Sequence, residues 1–252
     1  MTGASSGIGL ELARLLTQDG HDLFLVARSE DQLNRIAVDL EGAHGIRVIV
    51  LARDLSRPEA PDQVVEALWA DTVAVDVLVN SAGFGLYGPF REIDVATACD
   101  LLQVNVAAVT HLTRRLLPGM LERGGGQILN VASLAAFMPG PMMAVCHASK
   151  AYVLRLFIAL AEELRGSGVT VTALCPGYVR TGFQDRANLD LQEVRLSRLG
   201  VMDAATVARA GYRGMQQAKR VAVPGLVRKL IVLGVKLAPR DLVSRVAHWL
   251  QV

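Results

Sequence analysis

The chain has 252 residues, just over half of them apolar, and a net charge of +2. That length suits a single layered α/β domain with a substantial core, and scattered basic residues with so little net charge exclude a nucleic-acid face. Three cysteines (Cys99, Cys146, Cys175) are odd in number and lack ligand spacing, which excludes a disulfide framework and a metal site.

In chain order, the first feature is the loop Thr2-Gly3-Ala4-Ser5-Ser6-Gly7-Ile8-Gly9, which enters an apolar helical pattern over 9–19. Glycines at this spacing allow a tight turn and let backbone N–H groups approach a pyrophosphate facing the helix N-terminus. Three glycines in a turn also arise by chance, so the loop gains weight only from a strand–loop–helix context. Here just Met1 precedes it. A parallel sheet lacking that strand leaves two neighbours with unpaired edges. The expectation is a start about six residues upstream, a typical strand length, with an internal GTG codon read as Met.

Strand-like runs follow at 22–27, 47–51, 75–80, 127–132, 169–175 and 220–223, alternating with helical patterns at 30–40, 58–70, 96–121, 144–165 and 204–217. This alternation predicts a doubly wound parallel sheet, a Rossmann-like α/β fold, as one domain over 1–252 with a helical tail from 224 to 252. No secretory segment opens the chain, and no apolar run reaches the roughly 18 residues of a membrane span. The expected setting is cytoplasmic and reducing.

The second strand ends in Ala27-Arg28, where an acidic residue would grip the ribose hydroxyls of NAD. A guanidinium there suits a ribose 2′-phosphate and favours NADP(H), although a solvated arginine at a helix start reads the same way. Asp54, after the third strand, suits the adenine amino group or an ordinary helix cap.

With these elements in register the chain resembles the short-chain dehydrogenase/reductase family along essentially its whole length. The resemblance rests on the glycine loop, Asn80-Ser81-Ala82-Gly83, Asn105, Ser133 after the fifth strand, Lys150, and Pro176-Gly177 with Thr181. It implies hydride transfer between NADP(H) and a carbonyl or alcohol carbon, with a tyrosine phenol handling the oxygen-bound proton. Lys150 is implied to lower the phenol pKa and bind the nicotinamide ribose, Ser133 to hydrogen-bond the substrate oxygen, and Asn105 to support a proton-relay water. Gly3, Ser5, Ser6, Gly7, Ile8, Gly9, Arg28, Asp54, Asn80, Ala82, Gly83, Pro176, Gly177, Val179 and Thr181 are implied to surround the cofactor.

The four residues before Lys150 place Cys146 at the position of the family's tyrosine. A thiol is acidic enough, with a reference pKa of ~8.5 against ~10 for a phenol. It ends roughly 3–4 Å short of a phenol oxygen, beyond hydrogen-bond reach of the same substrate unless water intervenes. A severely weakened reductase is therefore expected. His147 and Tyr152 project in other directions around the helix, while Tyr87 and Tyr178 lie in loops near the expected cofactor mouth.

The polar stretch 182–200 reads as a substrate lid or as a variable surface helix. Phe84, Leu86, Tyr87, Phe137, Met138, Met142, Met143 and Phe183 read as an apolar substrate pocket or as core. The basic, apolar tail reads first as a cover for its own domain and second as a contact for membrane or another subunit. A small apolar carbonyl or alcohol substrate and a homo-oligomer are expected. The alternative functions are a cofactor-binding sensor without turnover and an interaction protein acting through its tail.

Overall fold

The computed structural model describes residues 1–183, 187 and 200–251. After the glycine loop come α1 (Gly7–Gln18), β1 (Leu23–Ala27), α2 (Glu30–His44), β2 (Val48–Ala52), α3 (Ala60–Ala70) and β3 (Val77–Asn80). The second half adds α4 (Val95–Leu102), α5 (Val109–Glu122), β4 (Gly126–Val131), α6 (Ala144–Glu163) and β5 (Val169–Leu174). There follow a short pair, β6 (Val179–Arg180) and β7 (Met202–Asp203), then α7 (Ala204–Gln216), β8 (Val221–Ala222), α8 (Leu226–Leu237) and α9 (Arg240–Gln251).

The main sheet is parallel. β2 pairs with β1, and β3, β4, β5 and β8 pair in that order. Thr2 joins the two parts by bridging Val26 on one side and Asn80 on the other. Its N–H donates to Val79 O, and the N–H of Gly3 donates to Val26 O, both at 2.9 Å. Met1 and Thr2 thus stand in the slot where the sequence led us to expect a whole strand. The Met1 amine is buried there, donates to Phe24 O at 2.6 Å, and has its pKa pulled down to about 5 by desolvation.

Side-chain alternation along the strands sends residues to two cores. Phe24, Leu78, Ile128 and Val171 join Val64, Leu112, Met120 and Phe157, from α3, α5 and α6, on one face. Leu25, Val79, Leu129 and Leu174 join Leu12, Leu16, Leu33 and Val207, from α1, α2 and α7, on the other. Both faces are therefore covered, as an all-parallel sheet requires. Local signals set several helix ends. Asp94 and Asp203 accept from the N–H groups of Thr97 and Thr206 at 2.8 and 2.7 Å, capping α4 and α7. Gly45, at φ +66°, ends α2.

Two expectations need correction. The helix read over 96–121 is interrupted by one π-helical stretch, Gln103–Ala108, centred on Asn105. The tail is two helices, because Pro239 forces Ala238 into an extended backbone between α8 and α9. By length and composition alone, Val95–Glu122 and Ala144–Glu163 would suffice to cross a bilayer, with no uninterrupted apolar run in either, as the sequence indicates. In this fold their apolar sides pack on the sheet.

Gly42 lies exposed within α2, with nothing within 4 Å of a Cβ placed there. Gly42→Ala should stabilise the fold by about 0.5–1 kcal/mol through helix propensity alone. A melting temperature raised by about 2 °C is the readout; a decrease would show that α2 is held by something other than its own turns.

Candidate active site

Above the carboxyl ends of the strands lies a cleft of about 740 Å³, within the range typical of small-molecule sites. The glycine loop forms one wall. A Cβ on Gly9 would fall 2.1 Å from Gly3 O, and one on Gly3, whose φ is +66°, would fall 2.6 Å from Ala82 N. Thr2 Oγ1 ties this wall to the next loop by accepting from the N–H groups of Ser81 and Ala82, both at 3.2 Å. Gln32 Nε2 donates to Ser5 O at 2.8 Å and braces the turn from α2.

Of the residues singled out in the sequence, Gly3, Ser5, Ser6, Gly7, Ile8, Gly9, Arg28, Asp54, Ala82, Gly83, Ser133, Cys146, Lys150, Pro176, Gly177, Val179 and Thr181 all line this cleft. Asn80 and Asn105 do not. Asn80 is buried beneath the floor, where its amide donates to Asn130 Oδ1 at 2.8 Å and Thr113 Oγ1 at 3.2 Å. Asn105 clamps the Phe84 loop from behind. Its Oδ1 accepts from Phe84 N–H at 3.2 Å, and its Nδ2 donates to Phe84 O at 3.0 Å and Ser149 Oγ at 3.1 Å. With its amide so engaged, Asn105 acts on the cleft by holding Gly83 and Phe84 in place.

Lys150, 8% exposed, reaches up from α6 and donates to Val131 O at 2.9 Å. Burial pulls its pKa down, opposed by the nearby Cys146 and Cys175. One backbone acceptor leaves donor capacity on the ammonium for ribose hydroxyls. Cys146, one turn earlier on α6 and 4% exposed, has its thiol pKa pushed up by burial, with a weaker downward pull from Lys150. The thiol is therefore neutral near pH 7. Ser133 Oγ accepts from Ala135 N–H at 3.1 Å, which leaves its own proton for another acceptor.

The neighbouring rings divide clearly. Tyr152 is exposed, and its hydroxyl lies 3.2 Å from Thr110 Oγ1, away from the cleft. Tyr87 packs beneath the wall with Leu86 and Phe183. Tyr178 lines the cleft, and burial first, then Cys146 and Tyr87, pushes its pKa up to about 12. His147 is buried with Nδ1 3.0 Å from Met138 O, and desolvation lowers its pKa. A neutral imidazole donating from Nδ1 braces the 138–140 turn. Phe84, Met138, Met143 and Phe183 supply the apolar part of the lining. The lid expected over 182–200 lies mostly outside the described residues; Gly182, Phe183 and Gly200 line the cleft and Ala187 packs against its apolar wall.

The cleft lining also includes residues that the sequence did not point to, Arg53, Arg228 and Ile231 among them. Arg53 lines the cleft and follows the end of β2, beside Arg28 at the end of β1, since Ala27 pairs with Ala52. The strand-end position that singled out Arg28 applies equally to Ala52-Arg53-Asp54, so this one was legible. Arg228 and Ile231 of α8 also line the cleft, and Arg228 donates to Gly200 O. No local pattern announces that contact between segments nearly thirty residues apart.

Fold and cleft together define a dinucleotide-binding α/β protein, and the backbone cradle and buried lysine fit a nicotinamide nucleotide. The sequence model of the short chain dehydrogenases matches residues 1–192. The ketoacyl reductase HetN of Nostoc sp. is 29% identical over 260 residues, covering 100% of this chain and 88% of that protein. A short-chain dehydrogenase from Sphingobium yanoikuyae in complex with NADPH superposes with a TM-score of 0.84 at 33% identity, covering 94% of this chain and 92% of that one. A short-chain dehydrogenase/reductase from Burkholderia phymatum in complex with NAD does so at 0.84 and 29%, covering 96% and 92%. The chain belongs to the short-chain dehydrogenase/reductase family of oxidoreductases that work with nicotinamide nucleotides.

Proposed function

We propose that this protein is an NADP(H)-dependent carbonyl reductase or alcohol dehydrogenase whose turnover is weakened by cysteine at the proton-donor position. The observation that carries this reading is the division of one cleft. Arg28 and Arg53 follow the paired ends of β1 and β2, where a ribose 2′-phosphate would lie, while Ser133 follows β4 and Cys146 and Lys150 stand on α6, where chemistry would occur; all five line the cleft. A bound NADPH would supply the hydride. Gly3 to Gly9 would hold its pyrophosphate on backbone N–H groups, and Lys150 its nicotinamide ribose. Pro176, Gly177, Val179 and Thr181 would bound the nicotinamide, and Asp54 would face the adenine.

On the substrate side, Ser133 Oγ–H would donate to the carbonyl oxygen. The proton that completes the alcohol must then come through a water held among Ser133, Cys146 and Lys150, because the thiol falls short. The apolar lining, together with likeness to a ketoacyl reductase, favours an apolar carbonyl compound, in a cytoplasmic single-domain protein. A second reading, nucleotide binding without turnover, is favoured by the neutral, buried Cys146 thiol.

NADPH and NADH titrations test the cofactor assignment. Arg28→Ala should weaken NADPH about 10–100-fold, equivalent to about 1.4–2.7 kcal/mol, and leave NADH nearly unchanged. Equal losses for both nucleotides would remove the 2′-phosphate role.

A further inference from the structure

We propose that α8 and α9 form a seat for an anionic lipid membrane, placing the mouth of the cleft beside the bilayer surface. Helix α8 is apolar on two opposite sides. Ile231, Val232 and Val235 face inward, and Ile231 with Arg228 closes one side of the cleft. On the other side Leu226, Leu230, Leu233 and Leu237, at i, i+4, i+7 and i+11, form a continuous stripe 53–78% exposed. Helix α9 presents Leu242, Val246 and Trp249 at i, i+4 and i+7, all exposed. Eight of the fifteen exposed large apolar side chains among the described residues belong to these two helices. So concentrated a patch marks an interaction surface.

Charge decides what covers it. From 224 to 252 the chain carries five basic residues (Arg228, Lys229, Lys236, Arg240, Arg245) against Asp241 alone, a net +4; the whole chain carries +2, so the remainder is −2. Arg228 turns into the cleft, which leaves Lys229, Lys236 and Arg245 exposed beside Asp241, so a second copy seated on the same face by two-fold symmetry would set one basic surface against another. A negatively charged lipid surface complements it. Apolar stripes flanked by Lys229 and Arg245 match a helix pair lying in a membrane interface. The inward face of α8 also covers the domain, so the covering and membrane readings of this tail describe two sides of one helix.

The test is co-sedimentation of the full chain with vesicles of phosphatidylcholine alone and of phosphatidylcholine mixed with phosphatidylglycerol. Binding should be about tenfold or more stronger to the mixed vesicles and weaken with added salt. Lys229→Gln with Arg245→Gln should lower it about 25-fold, roughly fivefold per charge. Leu230→Glu with Leu233→Glu should abolish it while circular dichroism and NADPH titration stay unchanged. No binding to either vesicle, or equal binding to both, overturns the proposal. So does a concentration-dependent dimer that these glutamates disperse in a chain that ignores vesicles, which would assign the face to a second copy.

Discussion

Replacing Cys146 with tyrosine should raise single-turnover hydride transfer from NADPH to a carbonyl substrate by about 10²–10⁴-fold, the typical contribution of a positioned general acid. The side chain lines the cleft from the first turns of α6 and also packs with Leu101, Met143 and Ala187, so a phenol there has the cleft's open volume to extend into. Lys150, one helical turn on, would favour the phenolate and so ease proton transfer. Cys146→Phe separates filling from chemistry: it adds the ring without the hydroxyl and should show no gain. If neither variant is faster on a panel of apolar ketones and ketoacyl thioesters, although both bind NADPH, the assignment of position 146 as proton donor fails. The pseudoenzyme reading would then stand.

The second large effect concerns the nucleotide loop. Gly9→Ala places a Cβ 2.1 Å from Gly3 O, far inside contact distance, so backbone must move. It has little freedom to do so. Thr2 and Gly3 are hydrogen-bonded into β3 and β1, and the Thr2 hydroxyl holds the loop after β3. Overpacking of this kind costs about 1–3 kcal/mol of stability. NADPH affinity should fall about 100-fold, or about 2.7 kcal/mol, because the N–H groups proposed to cradle its pyrophosphate would shift together. A fluorescence titration of NADPH beside a thermal melt measures both. Unchanged affinity in a folded variant would remove the loop from the cofactor site, and Gly42→Ala serves as the benign comparison.

Much of this molecule was legible in its residues. Strand and helix order and the coverage of both sheet faces follow from periodicity and spacing, which are local. The glycine loop and Arg28 could be named from their places at strand ends, whereas Ser133, Cys146 and Lys150 were named by resemblance to the family's motifs. In a parallel sheet, strand ends gather at one edge whatever the loops do.

Other features depended on which distant segment each side chain meets. Asn80 and Asn105 carry family positions, yet the Nδ2 of Asn80 is spent on Asn130 and Thr113 and the amide of Asn105 on Phe84 and Ser149, partners that topology supplies from 21 to 50 residues away. The π-helical stretch Gln103–Ala108 contains this clamping residue, and no local pattern marks it. Arg228 enters the cleft only because α8 folds back across it, and that same docking leaves Leu226, Leu230, Leu233 and Leu237 facing outward. Short-range pattern thus settles what each segment is; which side of a helix becomes interior is settled by whatever packs against it.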